Sequence, residues 1–152
     1  MGTVKRDHLQ SWVWSFCTKH GLLSINSRAV VGLSGGQDSM LLGSVFFELY
    51  KKGYIHDIVF VHIDHGLRSE SSSQAASLSK WCAEHDWPLI IERYSGIAPD
   101  VNIELWARDL RKAIFAKHVR RLGSEAAVLL GHHIDDSFEW YMRQLLGSSA
   151  GD

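Results

Sequence analysis

Three short stretches carry most of the candidate chemistry in this chain, and each follows an apolar run of strand length. Ser34-Gly35-Gly36-Gln37-Asp38-Ser39 comes after Leu33, His62-Ile63-Asp64-His65-Gly66-Leu67-Arg68 after Val61, and Gly131-His132-His133-Ile134-Asp135-Asp136 after Leu130. In the first stretch, paired glycines let the backbone approach an anion without a β-carbon in the way. The helical pattern that begins at Met40 adds unpaired N–H groups and a partial positive charge. This is not a Walker motif, because no Lys follows the second glycine and only Gln37 separates it from Asp38. The phosphate donors must then be backbone N–H groups with the Ser34 and Ser39 hydroxyls, and Asp38 is positioned to hold a divalent cation against phosphate oxygens. The plainer alternative is a capped turn in which Asp38 and Ser39 satisfy only helix amides.

Two further groups of charged side chains accompany these loops. Asp135 and Asp136 are adjacent carboxylates opening a helical pattern with Phe138, Tyr141, Met142 and Leu145 on one stripe, which leaves Asp136, Glu139 and Arg143 sharing the other face. Capping by Asp135 and a surface pair between Glu139 and Arg143 is the alternative there. Arg108 and Arg111 sit one helical turn apart, and two guanidinium forks on one face suit phosphate oxygens or an activated carbonyl. Otherwise they form a solvated face, as Lys117, Arg120 and Arg121 on the opposite side do. His132 and His133 have no third ligand at a zinc spacing, so shaping the loop is their expected role.

The elements that must position these residues alternate. Leu9, Trp12, Val13 and Phe16 recur at helical spacing before Gly21, which predicts an amphipathic helix covering one face of a sheet. Strand-length runs follow at 29–33, 58–63, 89–91 and 126–130, separated by helical patterns at 40–52, 74–85 and 103–122. Near-continuous apolar strands joined by helices predict a doubly wound, mostly parallel α/β sheet with helices on both faces. The loops after parallel strands share one edge, where such sheets bind ligands.

Composition sets the remaining bounds. At 152 residues and 45% apolar, the chain has material for one core, and residues 1–152 are expected to form a single domain. A formal charge of −1 gives no general attraction to nucleic acid, so contact with a polyanion must come from a local patch or another segment. Cys17 and Cys82 lack the spacing of a metal or redox pair, which fits a reducing cytosol. Neither a secretory segment nor an apolar membrane span is visible, so a cytoplasmic protein without membrane contact is expected.

The residues also carry a resemblance. Ser34 to Ser39 matches the S-G-G-x-D-S signature of the PP-loop ATP pyrophosphatases. The loops His62 to Arg68 and His132 to Asp136 with Glu139, together with Asn102-Ile103-Glu104 and Ala107, Arg108 and Arg111, resemble those of the tRNA(Ile)-lysidine synthetases. The resemblance runs over residues 28–149. It implies a Rossmann-like fold of the adenine nucleotide alpha hydrolase type, ATP and Mg²⁺ as cofactors, and free lysine and a tRNA(Ile) with a CAU anticodon as partners. It implies that ATP adenylates the C2 carbonyl oxygen of the wobble cytidine with loss of pyrophosphate, after which the lysine amine displaces AMP.

By that resemblance Asp38, Arg108, Arg111 and Asp136 are the catalytic candidates, with Asp38 and Asp136 as metal ligands. Ser34, Gly35, Gly36, Gln37, Asp38, Ser39, His62, Asp64 and His133 would bind ATP and pyrophosphate, while Glu104, Asp135 and Glu139 would face lysine or cytidine. Departures accompany the matches: Lys112, Ser137 and Trp140 stand where the family commonly has Tyr, Gln and Thr. The cysteine pair that sister thiolating enzymes carry near Asn102 to Arg111 is absent here, which weighs against sulfur transfer. The glycine-containing stretch 145–152 enters a loop after which the family continues, so a C-terminally truncated core, binding ATP better than it modifies tRNA, is expected. Another PP-loop ligase or thiolase, or a non-catalytic nucleotide-binding module, is the alternative.

Overall fold

A computed structural model describes residues 3–67, 69–123 and 126–132. The described elements run α1 (Thr3–Lys19), β1 (Arg28–Gly32), α2 (Gln37–Lys51), β2 (Asp57–Asp64), α3 (Ser71–Glu84), β3 (Leu89–Arg93), α4 (Ile103–Leu122) and β4 (Ala126–Leu130). All strand pairs are parallel, in the order β3-β2-β1-β4. The chain first steps outward from β1 to β2 and β3, then returns past β1 to β4. That reversal puts a topological switch point between β1 and β4, the place where open α/β sheets form a ligand crevice.

Side-chain alternation along β1 explains why both faces are covered. Ala29, Val31 and Leu33 join the α2 and α3 side of the core, with Val45, Phe46, Leu49, Leu78 and Cys82. Val30 points the other way and packs with Val61 against Phe115 of α4. Ala29, Val30 and Val31 are 0% exposed, as a central strand of a two-sided sheet requires. The expected doubly wound architecture is therefore present. An aromatic group closes the α2–α3 side, with Phe60 stacked on Trp87 at 4.5 Å and Trp81 edge-on to Trp87 at 4.9 Å.

The first helix departs from expectation. Leu9, Trp12 and Phe16 face outward, Trp12 at 67% exposure. Gln10, Val13, Trp14 and Cys17 face inward instead, and α1 packs chiefly on α2 rather than on the sheet. The buried Gln10 is satisfied from outside its own helix, since Lys52 Nζ donates to its Oε1 at 2.8 Å. A long-range hydrogen bond thus allows a polar residue onto the packed face. Helix starts also lie earlier than expected: α2 begins at Gln37 rather than Met40, and α3 at Ser71 rather than Gln74.

Candidate functional site

The turn after β1 is held by its own hydroxyls. Ser39 is buried, and its Oγ donates to the Gly36 carbonyl at 3.0 Å while accepting from the Ser34 N–H and the Ser34 hydroxyl, each at 3.1 Å. Ser34 Oγ in turn accepts from the Gly36 N–H at 3.2 Å. Gly35 sits at φ +85, a left-handed turn that only glycine adopts cheaply, with open space where a β-carbon would be. Gly36 is the N-cap of α2 and supplies no side-chain cap, so the helix start faces outward with its positive end bare of a protein oxygen from the cap. Ser34, Gly35, Gly36, Gln37 and Asp38 are all exposed. The result is an anion cradle whose hydroxyls set its shape and whose backbone offers the donors.

The loop after β2 is tied to this turn. His62 Nδ1 lies 2.7 Å from the Leu33 carbonyl oxygen, and the Leu33 N–H donates to the Val61 carbonyl at 2.9 Å. A carbonyl only accepts, so His62 carries its proton on Nδ1. Asp64, 5% exposed, accepts from the Gly66 N–H at 3.0 Å and has Arg93 Nε at 3.9 Å. The Gly66 N–H, assisted by the Ser71 hydroxyl and Arg93, holds its carboxyl below the usual range despite burial. Asp64 therefore orients the loop. His65, edge-on to Trp106 at 6.2 Å, is pushed below its ordinary value by burial and by the Arg111 charge, and its Nε2 has no hydrogen-bond partner among the described residues.

The third loop comes to the same place. A β-carbon on Gly131 would lie 2.9 Å from the Ser39 nitrogen, so the chain leaving β4 rests directly on the first turn of α2. Together the three loops enclose a cavity of about 420 Å³ lined by Ser34, Ser39, His62, Asp64, Arg111 and His132, over an apolar floor that includes Val61 and Phe115. Arg111 reaches it from α4. A second, more open cleft of about 620 Å³ lies between the phosphate turn and α3, with Gly35, Gly36, Gln74, Ser77 and Trp81 in its walls.

Of the residues singled out by sequence, Ser34, Ser39, His62, Asp64 and Arg111 share the first cavity, and Gly35 and Gly36 line the second. Gln37 and Asp38 are exposed beside them on α2. Arg108 and Glu104 lie on α4 but are not in the wall of either space. His133, Asp135, Asp136 and Glu139 lie outside the described residues. His65, Ser71, Gln74 and Phe115 join the cavity without having been singled out as ligand contacts. Their signal was position alone, a helix start and an inward helix face. Both cysteines are buried away from these cavities, and burial pushes the Cys82 thiol up to about 11.

A parallel sheet with a glycine-rich anion cradle at its switch point defines a nucleotide-binding α/β domain. Residues 7–151 match the PP-loop domain family, and the chain belongs to that family. It is 33% identical over 128 residues to the tRNA(Ile)-lysidine synthase of Chlamydia pneumoniae, covering 84% of this chain and 38% of that protein. It is 34% identical over 129 residues to the tRNA(Ile)-lysidine synthase of a Streptococcus agalactiae serotype V strain, covering 84% of this chain and 29% of that protein. The chain thus spans about a third of the length of these relatives. Among solved structures, the U34-tRNA thiolase NcsA from Methanococcus maripaludis, with its [4Fe-4S] cluster, superposes with a TM-score of 0.68 at 18% identity. That match covers 95% of this chain and 52% of the thiolase, and the two share the fold. No helix among the described residues is long and apolar enough to cross a membrane.

Proposed function

We propose that residues 1–152 act as a single nucleotide-binding domain that adenylates the wobble cytidine of a tRNA(Ile) with a CAU anticodon, so that free lysine can be joined to it. The carrying observation is the meeting of the phosphate turn, the His62 loop and Arg111 around one cavity, in a chain a third identical to lysidine synthases. In this reading the cytidine C2 oxygen attacks the α-phosphorus of ATP and the bond to pyrophosphate breaks. The lysine amine then forms the carbon–nitrogen bond, loses a proton, and AMP leaves with the oxygen. Catalysis of this kind is mostly positioning and charge stabilisation.

The roles divide accordingly. The Gly35–Gly36 backbone and the start of α2 bind the departing pyrophosphate, with Ser34 and Ser39 keeping the turn in shape and Gln37 beside it. Arg111 meets negative charge at the α-phosphate, and Arg108, one turn away, supports it. His62 and His133 border the nucleotide. Asp136, Asp135, Glu139 and Glu104 complete the lysine and cytidine side. Mg²⁺ keeps much of its water and is usually held by one or two carboxylates plus substrate phosphates. Asp38, exposed on the first turn of α2, fits such a site, with Asp136 as its second carboxylate. Bound there, the ion would neutralise phosphate charge.

A thiolase reading is less well supported, because the chain's two cysteines are buried in the helical side of the core and neither faces the cavity. The test is pyrophosphate release from ATP by the chain with cognate tRNA, measured with and without lysine, followed by analysis of the tRNA nucleosides. Lysine-dependent AMP release and a lysine-bearing cytidine are the expected result, at low yield, since the core is expected to bind ATP better than it modifies tRNA. Pyrophosphate release that proceeds equally without lysine and leaves the cytidine unchanged would reject this reading.

A further inference from the structure

The phosphate turn borders two spaces, and they meet different parts of it. The first cavity, of about 420 Å³, has Ser34 and Ser39 in its wall but neither Gly35 nor Gly36. The second cleft, of about 620 Å³, is walled by Gly35 and Gly36 on one side and by Ser73, Ser77 and Trp81 of α3 on the other. An anion held by the glycine backbone therefore sits at the inner end of the second cleft. On its other flank the turn is closed, because the chain leaving β4 at Gly131 rests on Ser39.

The wall of this cleft is poor in groups that would hold an anion. Besides the Gln74 amide it carries no Asp, Glu, Lys, Arg or His among the described residues. Ser73 Oγ donates to the Glu70 carbonyl at 2.8 Å and Ser77 Oγ to the Ser73 carbonyl at 3.0 Å, so both hydroxyl protons are spent on the backbone. Trp81 is fixed from two sides, stacked on His85 at 3.9 Å and edge-on to Trp87 at 4.9 Å, which holds the far wall in place. Such a space lets a charged group pass without trapping it, whereas the Arg111 cation stands in the wall of the first cavity.

From this geometry we infer that the second cleft is the release route for pyrophosphate, separate from the space that takes the nucleoside. The inference rests on the adenylation reading above and adds the path of its first product. As the cytidine C2 oxygen bonds to the α-phosphorus, the bond from that phosphorus to the bridging oxygen breaks, and its electron pair leaves with pyrophosphate. The attacking and leaving oxygens lie roughly in line, so pyrophosphate departs on the side opposite the RNA. The RNA and the new adenylate then occupy the first cavity, and a path between α2 and α3 frees pyrophosphate without disturbing them. Its loss also removes the group that would attack the adenylate in reverse.

The experiment follows association and dissociation of inorganic pyrophosphate by stopped flow, with Mg²⁺ present, for the unaltered chain and for Ser73→Trp, Ser77→Trp, Leu67→Trp and Ala76→Trp. Ser73 and Ser77 are exposed in the cleft wall, Leu67 is exposed in the wall of the first cavity, and Ala76 is exposed on α3 outside both. An indole in the cleft should slow association and dissociation together by about tenfold and leave Kd unchanged, since an obstruction raises the barrier without altering either end state. Leu67→Trp and Ala76→Trp should keep the parent rates. Parent rates in both Ser73→Trp and Ser77→Trp overturn the inference while leaving the adenylation reading intact, and so does equal or greater slowing in Leu67→Trp. A weaker Kd at an unchanged association rate also overturns it, since the cleft would then be part of the binding site. If the unaltered chain binds no pyrophosphate, the proposed function and this inference fall together.

Discussion

The Nδ1 of His62 and the carbonyl oxygen of Leu33 lie 2.7 Å apart, which clamps the last residue before the phosphate turn to the strand beside it. This bond joins two of the three loops that make the cavity. His62→Ala should leave the Leu33 carbonyl without that partner and lower unfolding free energy by about 1–2 kcal/mol. Urea unfolding followed by circular dichroism would measure it. A midpoint unchanged from the parent would mean that water replaces the imidazole without loss.

Ser39 holds the phosphate turn through one buried oxygen. Removing it strips the Gly36 carbonyl of a donor and the Ser34 N–H of an acceptor. Ser39→Ala should therefore weaken pyrophosphate binding by about tenfold or more, through a turn that no longer holds its shape, at a stability cost of about 1–3 kcal/mol. Calorimetric titration with pyrophosphate, read beside thermal unfolding, separates the two effects. Retention of full pyrophosphate affinity would show that the backbone cradle needs no hydroxyl.

Arg111 has two measurable consequences. If it meets developing phosphate charge, Arg111→Ala should slow pyrophosphate release by about a hundredfold, the usual scale for losing one preorganised charge-stabilising group. Arg120→Ala, in the last turn of the same helix, is the control and should leave release unchanged. Independently of turnover, the Arg111 charge helps hold the His65 imidazole below its ordinary value. Its removal should move the His65 titration upward in an NMR pH series, and a stationary titration would place the guanidinium elsewhere in solution.

Glu92 links the end of β3 to α4. Its Oε1 accepts from Lys117 Nζ and from His118 Nε2, both at 2.7 Å, and His118 is 1% exposed. The Lys117 bond, followed by that from His118, holds the Glu92 carboxyl below its ordinary value of 4.5. A carboxylate lowered in the folded state binds its proton more readily when unfolded. Its contribution is thus complete above pH 4.5 and is lost as pH falls through the lower folded value. Glu92→Gln should flatten the fall of stability in that acid window and also be less stable at neutral pH. Parallel acid-unfolding curves for the two proteins would rule the linkage out.

The strand runs and the motif loops were legible in the sequence because they depend on local pattern. Four apolar segments of strand length alternating with helices imply a covered parallel sheet, and Ala126–Leu130 and Ile103–Leu122 fall where their patterns put them. Helix α1 was not legible. Apolar residues lie on two of its faces, and the choice between Leu9, Trp12 and Phe16 or Val13, Trp14 and Cys17 was made by contact with α2 and by Lys52 reaching Gln10 across 42 positions. Periodicity sees one helix at a time and has no access to such a partner.

The candidate site divides in the same way. The sequence by itself determined that glycines, hydroxyls and a carboxylate would follow β1, and that three loops with chemistry would gather at the carboxyl edge of the sheet, because residue order and strand polarity suffice for that. Only the tertiary structure decided how those groups are used. It turned Ser39 inward onto Gly36, gave Asp64 to the Gly66 N–H, and brought Arg111 rather than Arg108 into the cavity wall. The physical reason is that spacing fixes a side chain's face, whereas its partners come from neighbouring elements whose approach depends on packing, and a hydrogen bond tolerates only a few tenths of an ångström.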